Sequence, residues 1–206
     1  MARMARTTPA PKRRRRSPEV AQQEILDAAE EVLRERPFRE LTIDEVMQRA
    51  GMSKASFWVY FRDRHELVAR VIARLDLTLL QMAERWLEAP GEPPERVRFA
   101  LEGVVDVFVE HGTVLRAIAD AAAEDREVDT IYRGVVEGLI DFVAKQIRIE
   151  QRNGIAGPGD PKEMARALVW MNERYLSESF GARPGVSKRK ALDVITRVWV
   201  STLYEP

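Results

Sequence analysis

Apolar residues recur along this chain at helical spacing, and no segment shows the sustained alternation of a strand. Ile25, Ala28, Ala29, Val32 and Leu33 fall at i, i+3, i+4, i+7 and i+8. That stripe predicts a first helix, opened by Ser17 or Pro18 and stopped by Pro37. Ile43, Val46, Met47 and Ala50 form one face of a short second helix. Thr42 can cap it, and Gly51 ends it where a left-handed residue costs least without a β-carbon. Ser53 can cap a third helix running roughly from Lys54 to Tyr60. Asp63 then caps a long helix from Arg64, whose apolar face (Leu67, Val68, Val71, Ile72, Leu75, Leu79, Met82, Trp86) extends over six turns. The APGEPP segment at 89–94 breaks it.

Further helices are expected from Glu95 to about Glu110, ending near Gly112, from Thr113 to Glu124, and from Val128 to Arg152. The NGIAGPGDP stretch at 153–161 reads as a loop. Asp160 caps a helix to about Phe180, and after the GARPG turn Ser187 caps the last one. The expectation is an all-α protein of about nine helices, three in an N-terminal head and six in a C-terminal bundle. Its parts are a disordered arm at 1–17, a head at 18–79 and a body at 80–206. Within the head, a short helix, a glycine-bearing turn and a second short helix make a helix-turn-helix, whose second helix enters the DNA major groove.

Charge supports that reading. The net charge of zero hides seven cations and no acid in residues 1–16, so the remaining 190 residues sum to minus seven. A basic arm on an acidic body suits a polyanion met at one end, by phosphate or minor-groove contact, although a solubilising tail has the same composition. Composition also removes classes. Without cysteine there are no disulfides or thiolate metal sites, and His65 and His111 stand in no metal-ligand spacing and read as surface or cap residues. No nucleophile elbow or phosphate loop is present, so an enzyme is not expected, nor is a metal or cofactor. No apolar run reaches the roughly 18 residues a membrane span needs, and the basic start lacks the apolar segment of a secretory signal, so a cytoplasmic protein is expected.

The order Thr42, Ala50-Gly51, Ser53, Phe57, Trp58, Tyr60, Phe61 resembles the head of the TetR family of bacterial transcriptional regulators. MNERYLSESF at 171–180 and RVWVSTLY at 197–204 resemble its EthR-like subgroup. Ala55 and Trp58 depart from the commoner glycine or proline and tyrosine, and Val97 stands where that subgroup has a pocket tryptophan.

The resemblance implies a regulator that binds palindromic double-stranded operator DNA as a homodimer, paired through its last two helices. It implies a repressor released by a small hydrophobic effector. Thr42, Ser53, Lys54, Ala55, Ser56, Trp58, Tyr60 and Arg64 would face DNA. Lys54, Ala55 and Ser56 would lie over base edges, with Lys54 equally able to clamp a phosphate. Trp58 would pack on sugars or else serve as a core aromatic. Tyr60, Thr42 and Arg64 would meet phosphates. Phe108, Tyr132, Leu139, Phe142, Asn172 and Trp199 match pocket-lining positions, an apolar and aromatic set with one amide. Asn172 needs a partner, from a ligand or from a neighbouring group. Two other readings stand beside this one: a DNA-binding protein with a filled body, and a helical interaction module that binds no DNA.

Overall fold

The computed structural model describes residues 17–182 and 185–204, so the basic arm at 1–16 lies outside the described residues. The described residues form eight α-helices and one short 3-10 turn, without strands. The head comprises α1 (Pro18–Glu35), the 3-10 turn Phe38–Glu40, α2 (Ile43–Arg49) and α3 (Lys54–Tyr60); α4 (Arg64–Glu88) leaves it. The body adds α5 (Pro93–Glu124), α6 (Arg126–Arg152), α7 (Pro161–Phe180) and α8 (Lys188–Leu203).

Side-chain caps set most of the starts. Ser17 accepts from Val20 N, Thr42 from Glu45 N, Asp63 from Glu66 N, Asp160 from Lys162 N and Glu163 N, and Ser187 from Lys190 N. Gly51 turns the chain between α2 and α3 with φ of +63°. Ser53 occupies the cap position of α3, but its hydroxyl lies 2.9 Å from the Ser56 hydroxyl instead of holding a backbone amide.

The helix count differs from nine at one point. The two stretches expected on either side of Gly112 form the single helix α5. Gly112 does not end a helix. A β-carbon there would lie 2.9 Å from the backbone carbon and oxygen of Phe180, so the glycine permits α5 and the end of α7 to approach.

Two apolar clusters fill the interior. The first joins α1, α2, α3 and the start of α4 to Val114, Ile118, Ala121, Ala122 and Val128 of the body. The second lies among α4, α5, α6, α7 and α8. The boundary expected near residue 79 thus falls inside α4, while the head's core also draws on α5 and α6. Polar contacts follow the same seam. Glu30 of α1, only 3% exposed, pairs with Arg74 of α4 and has His111 Nδ1 of α5 at 3.3 Å. His65 Nε2, in the first turn of α4, lies 3.0 Å from the Asp125 carboxylate between α5 and α6. Both histidines therefore join head to body and are not simple surface or cap residues.

Candidate nucleic-acid interface and body cavity

The core anchor of α3 is Phe57, fully buried, with Phe61 beside it at 5.4 Å between ring centroids. With that face inward, the opposite face of α3 must be solvent-exposed. Lys54, Ala55, Trp58 and Val59 are exposed, and Ser56 and Tyr60 partly so. Trp58 is 57% exposed and packs edge-on against Phe57, which removes the alternative of a core aromatic. Lys54 Nζ holds the Asp44 carboxylate of α2 at 2.8 Å. An exposed pair of this kind is worth under about 1 kcal/mol, so it positions the lysine without withholding it from a phosphate or base. Thr42 is exposed at the start of α2, and the Arg64 guanidinium sits 4.8 Å over the Phe38 ring at the start of α4. Lys54, Ala55, Ser56, Trp58 and Tyr60 share α3, with Ser53 at its cap and Thr42 at the cap of α2, while Arg64 turns toward Phe38 and lines a groove between head and body. Val59, 76% exposed, was missed; its signal was a third apolar residue in succession, which one helix face cannot bury.

The body encloses a cavity of about 90 Å³ walled by α4, α5, α6, α7 and α8. Phe108, Tyr132, Leu139, Asn172 and Trp199 all line it. Phe142 does not. At i+3 from Leu139 it stands on the flank of the α6 stripe, half-buried against the second apolar cluster. Asn172 finds its partner inside the body, where the Trp199 indole Nε1 donates to its Oδ1 at 3.1 Å. The Tyr132 hydroxyl oxygen is buried beside the Glu173 carboxylate. Burial, with the Glu173 carboxylate nearby, pushes this phenol's pKa well above its ordinary value.

Asp76, Glu173 and Trp86 also line the cavity and were not expected there. Asp76 could have been suspected, because it interrupts the apolar stripe of α4 between Ile72 and Leu79. Burial raises its carboxyl pKa. Glu173 was legible only as part of a polar surface run, since its place on the wall depends on how α7 meets α6.

Comparison with known proteins agrees with this arrangement. Residues 25–71 match the family described as bacterial regulatory proteins, tetR family, and residues 97–205 match the C-terminal domain of the transcriptional regulator EthR. The HTH-type transcriptional regulator EthR of Mycobacterium tuberculosis is 31% identical over 186 residues, covering 87% of this chain and 85% of that protein. EthR of Mycolicibacterium smegmatis is 26% identical over 87% of this chain and 84% of its own length. Among solved structures, Salmonella enterica GusR superposes with a TM-score of 0.78 at 16% identity, covering 91% of this chain and 97% of that one. A TetR-family regulator from Rhodococcus sp. gives 0.76 at 17%, covering 89% and 98%. These two likenesses concern the fold.

An exposed recognition helix on an all-α body defines a helix-turn-helix DNA-binding protein. The chain belongs to the TetR family of transcriptional regulators, in its EthR-like branch, and is a regulator and not an enzyme. Among the described residues no helix is long and apolar enough to cross a membrane.

Proposed function

We propose that this protein is a ligand-responsive repressor that binds a palindromic operator as a homodimer and lets go when a small hydrophobic molecule enters the body. The observation that carries the reading is a double membership: Ile72 and Leu75 of α4 belong to the head's core and also line the body cavity. A cavity of about 90 Å³ holds only a few waters, so a larger occupant must part its walls. Parting them displaces α4, and α4 carries the head. Two heads on a dimer then change their separation, and a ligand that favours the displaced state lowers operator affinity.

In the DNA-bound state Lys54, Ala55 and Ser56 lie over base edges, and Trp58 and Tyr60 pack on and bond to the backbone. Thr42, Ser53 and Arg64 hold phosphates at the groove's flanks. Support for this comes from the exposure of Lys54, Ala55 and Trp58, and in part of Ser56 and Tyr60, on α3. The homodimer forms through α7 and α8. Val194 and Val198, at i and i+4 on α8, are exposed by 43% and 37% and suit burial against a symmetry mate. The head at 18–79 reads DNA and the body at 80–206 pairs and senses.

The narrowness of the cavity favours one rival, a regulator whose body is filled and senses nothing. Fluorescence anisotropy on an operator selected from genomic DNA, with and without hydrophobic amides and fatty acyl compounds, separates the two. A compound that binds the body tightly yet leaves operator affinity unchanged overturns the release mechanism.

A further inference from the structure

Two carboxylates, Asp76 of α4 and Glu173 of α7, line the cavity. Its wall near the head is made by Ile72 and Ile118, which belong to the first apolar cluster. Its far wall is made by Trp86, Val97, Val143 and Trp199, which belong to the second. Along α4, Asp76 is one turn from Ile72 and ten residues from Trp86, a separation of about 15 Å. Tyr132 packs against both clusters, between the two walls, and Glu173 lies beside its hydroxyl. The wall thus carries two carboxylates, Asp76 on α4 and Glu173 on α7, the second beside the buried Tyr132 hydroxyl. Toward Trp86 the wall is aliphatic and aromatic, and the polar groups of Asn172 and Trp199 are already bonded to each other.

No lysine, arginine or histidine lines the cavity, and neither Asp76 nor Glu173 forms an ion pair among the described residues. Glu173 accepts one hydrogen bond, from the Ser177 hydroxyl at 3.1 Å. Two acids and no lining cation against an apolar wall disfavour a carboxylate ligand and favour a cation, although Arg133 and Arg174 lie within electrostatic reach of Tyr132.

We infer that the effector is a cationic amphiphile, an apolar chain or ring system bearing a protonated amine, bound with the amine at the cavity's carboxylates, Asp76 and Glu173, and the apolar part along α4 toward Trp86. This rests on the reading of the cavity as an effector site and adds the charge and direction of its occupant. A neutral or acidic lipid of the same length fills the apolar part and leaves the carboxylates unmatched.

The test uses three molecules of one length: dodecylamine, dodecan-1-ol and dodecanoic acid. Each is titrated below its micellar concentration into the full-length protein at neutral pH, with calorimetry and the quenching of tryptophan fluorescence as readouts. Dodecylamine is expected to bind roughly tenfold tighter than the alcohol, and dodecanoate more weakly than either. Asp76→Asn and Glu173→Gln each reduce that preference several-fold, and together they abolish it, while alcohol affinity stays within about twofold. Equal or tighter binding of the alcohol or the acid overturns the inference but leaves an effector cavity standing, as does a preference that survives both substitutions. If none of the three binds, the cavity reading falls as well.

Discussion

Trp199 of α8 donates its indole N–H to the side-chain oxygen of Asn172 on α7, at 3.1 Å and out of water. Each satisfies the other in a wall that is otherwise apolar. Asn172→Leu strands the indole N–H, and Trp199→Phe strands the amide, so each single change costs about 1–3 kcal/mol. The double variant is expected to lose less than the sum of the two. Urea unfolding of the four proteins measures this directly, and strict additivity would show that the bond contributes no coupling.

Gly112 in α5 and Gly138 in α6 make a contrasting pair for testing the close approach of α5 to α7. A β-carbon at Gly112 meets the Phe180 backbone at 2.9 Å, whereas at Gly138 in α6 it meets nothing within 4 Å. Gly112→Ala should therefore destabilise by about 1–3 kcal/mol. Gly138→Ala should stabilise by about 0.5–1 kcal/mol, through the chain entropy that glycine loses in a helix. Thermal melts of the two variants should move in opposite directions.

The Glu30 cluster predicts a second non-additivity. Arg74→Met leaves a carboxylate that is 3% exposed with only Arg34 and His111 near it, a loss approaching 3 kcal/mol. Adding Glu30→Gln to that variant removes the buried charge and should recover part of the stability. Chemical denaturation that shows the double variant weaker than Arg74→Met would contradict the pairing.

Acid should loosen the head from the body. The His65 imidazole holds the Asp125 carboxyl below its ordinary pKa, and two backbone amides add to the effect. A depressed folded pKa contributes stability above the unfolded value of about 3.9, and the contribution is lost as pH falls through the folded one. Asp125→Asn should therefore be less stable than the parent near neutrality, by under about 1 kcal/mol for so accessible a pair. The gap should close below about pH 3.9. A gap that widens on acidification would show that another group controls the acid limb.

On DNA, Tyr60→Phe should weaken operator binding while the melting temperature holds, because the ring keeps its place against the head's core. For Lys54→Ala the salt dependence separates the two roles. A phosphate clamp lowers the slope of log K against log salt by about one for every sequence, and a base reader relaxes specificity at one position. Gel-shift titrations over a salt series on the operator and on single-base variants decide between them.

Local signals carried much of this architecture. The stripe Ile25 to Leu33, the caps Thr42, Asp63, Asp160 and Ser187, and the turn at Gly51 were all legible because each depends on neighbours within one or two helical turns. The same locality misled at Gly112, where a glycine needed for a contact with Phe180 looks like a helix stop. It was also silent on Phe142, where a small rotation of the helix decides which side chains are covered, and for Val59 it offered only a run of three apolar residues.

The residue order of this chain by itself determined an all-α fold with a helix-turn-helix head, because periodicity and capping are properties of short windows. Tertiary structure alone decided what fills the body. It set Asn172 against Trp199, 27 positions away, and Glu30 against Arg74 and His111. It also turned Asp76, one acid in an apolar stripe, toward a cavity near Tyr132 and Glu173. Those pairings depend on the rotation and depth at which five helices pack, which long-range burial sets and no local window records.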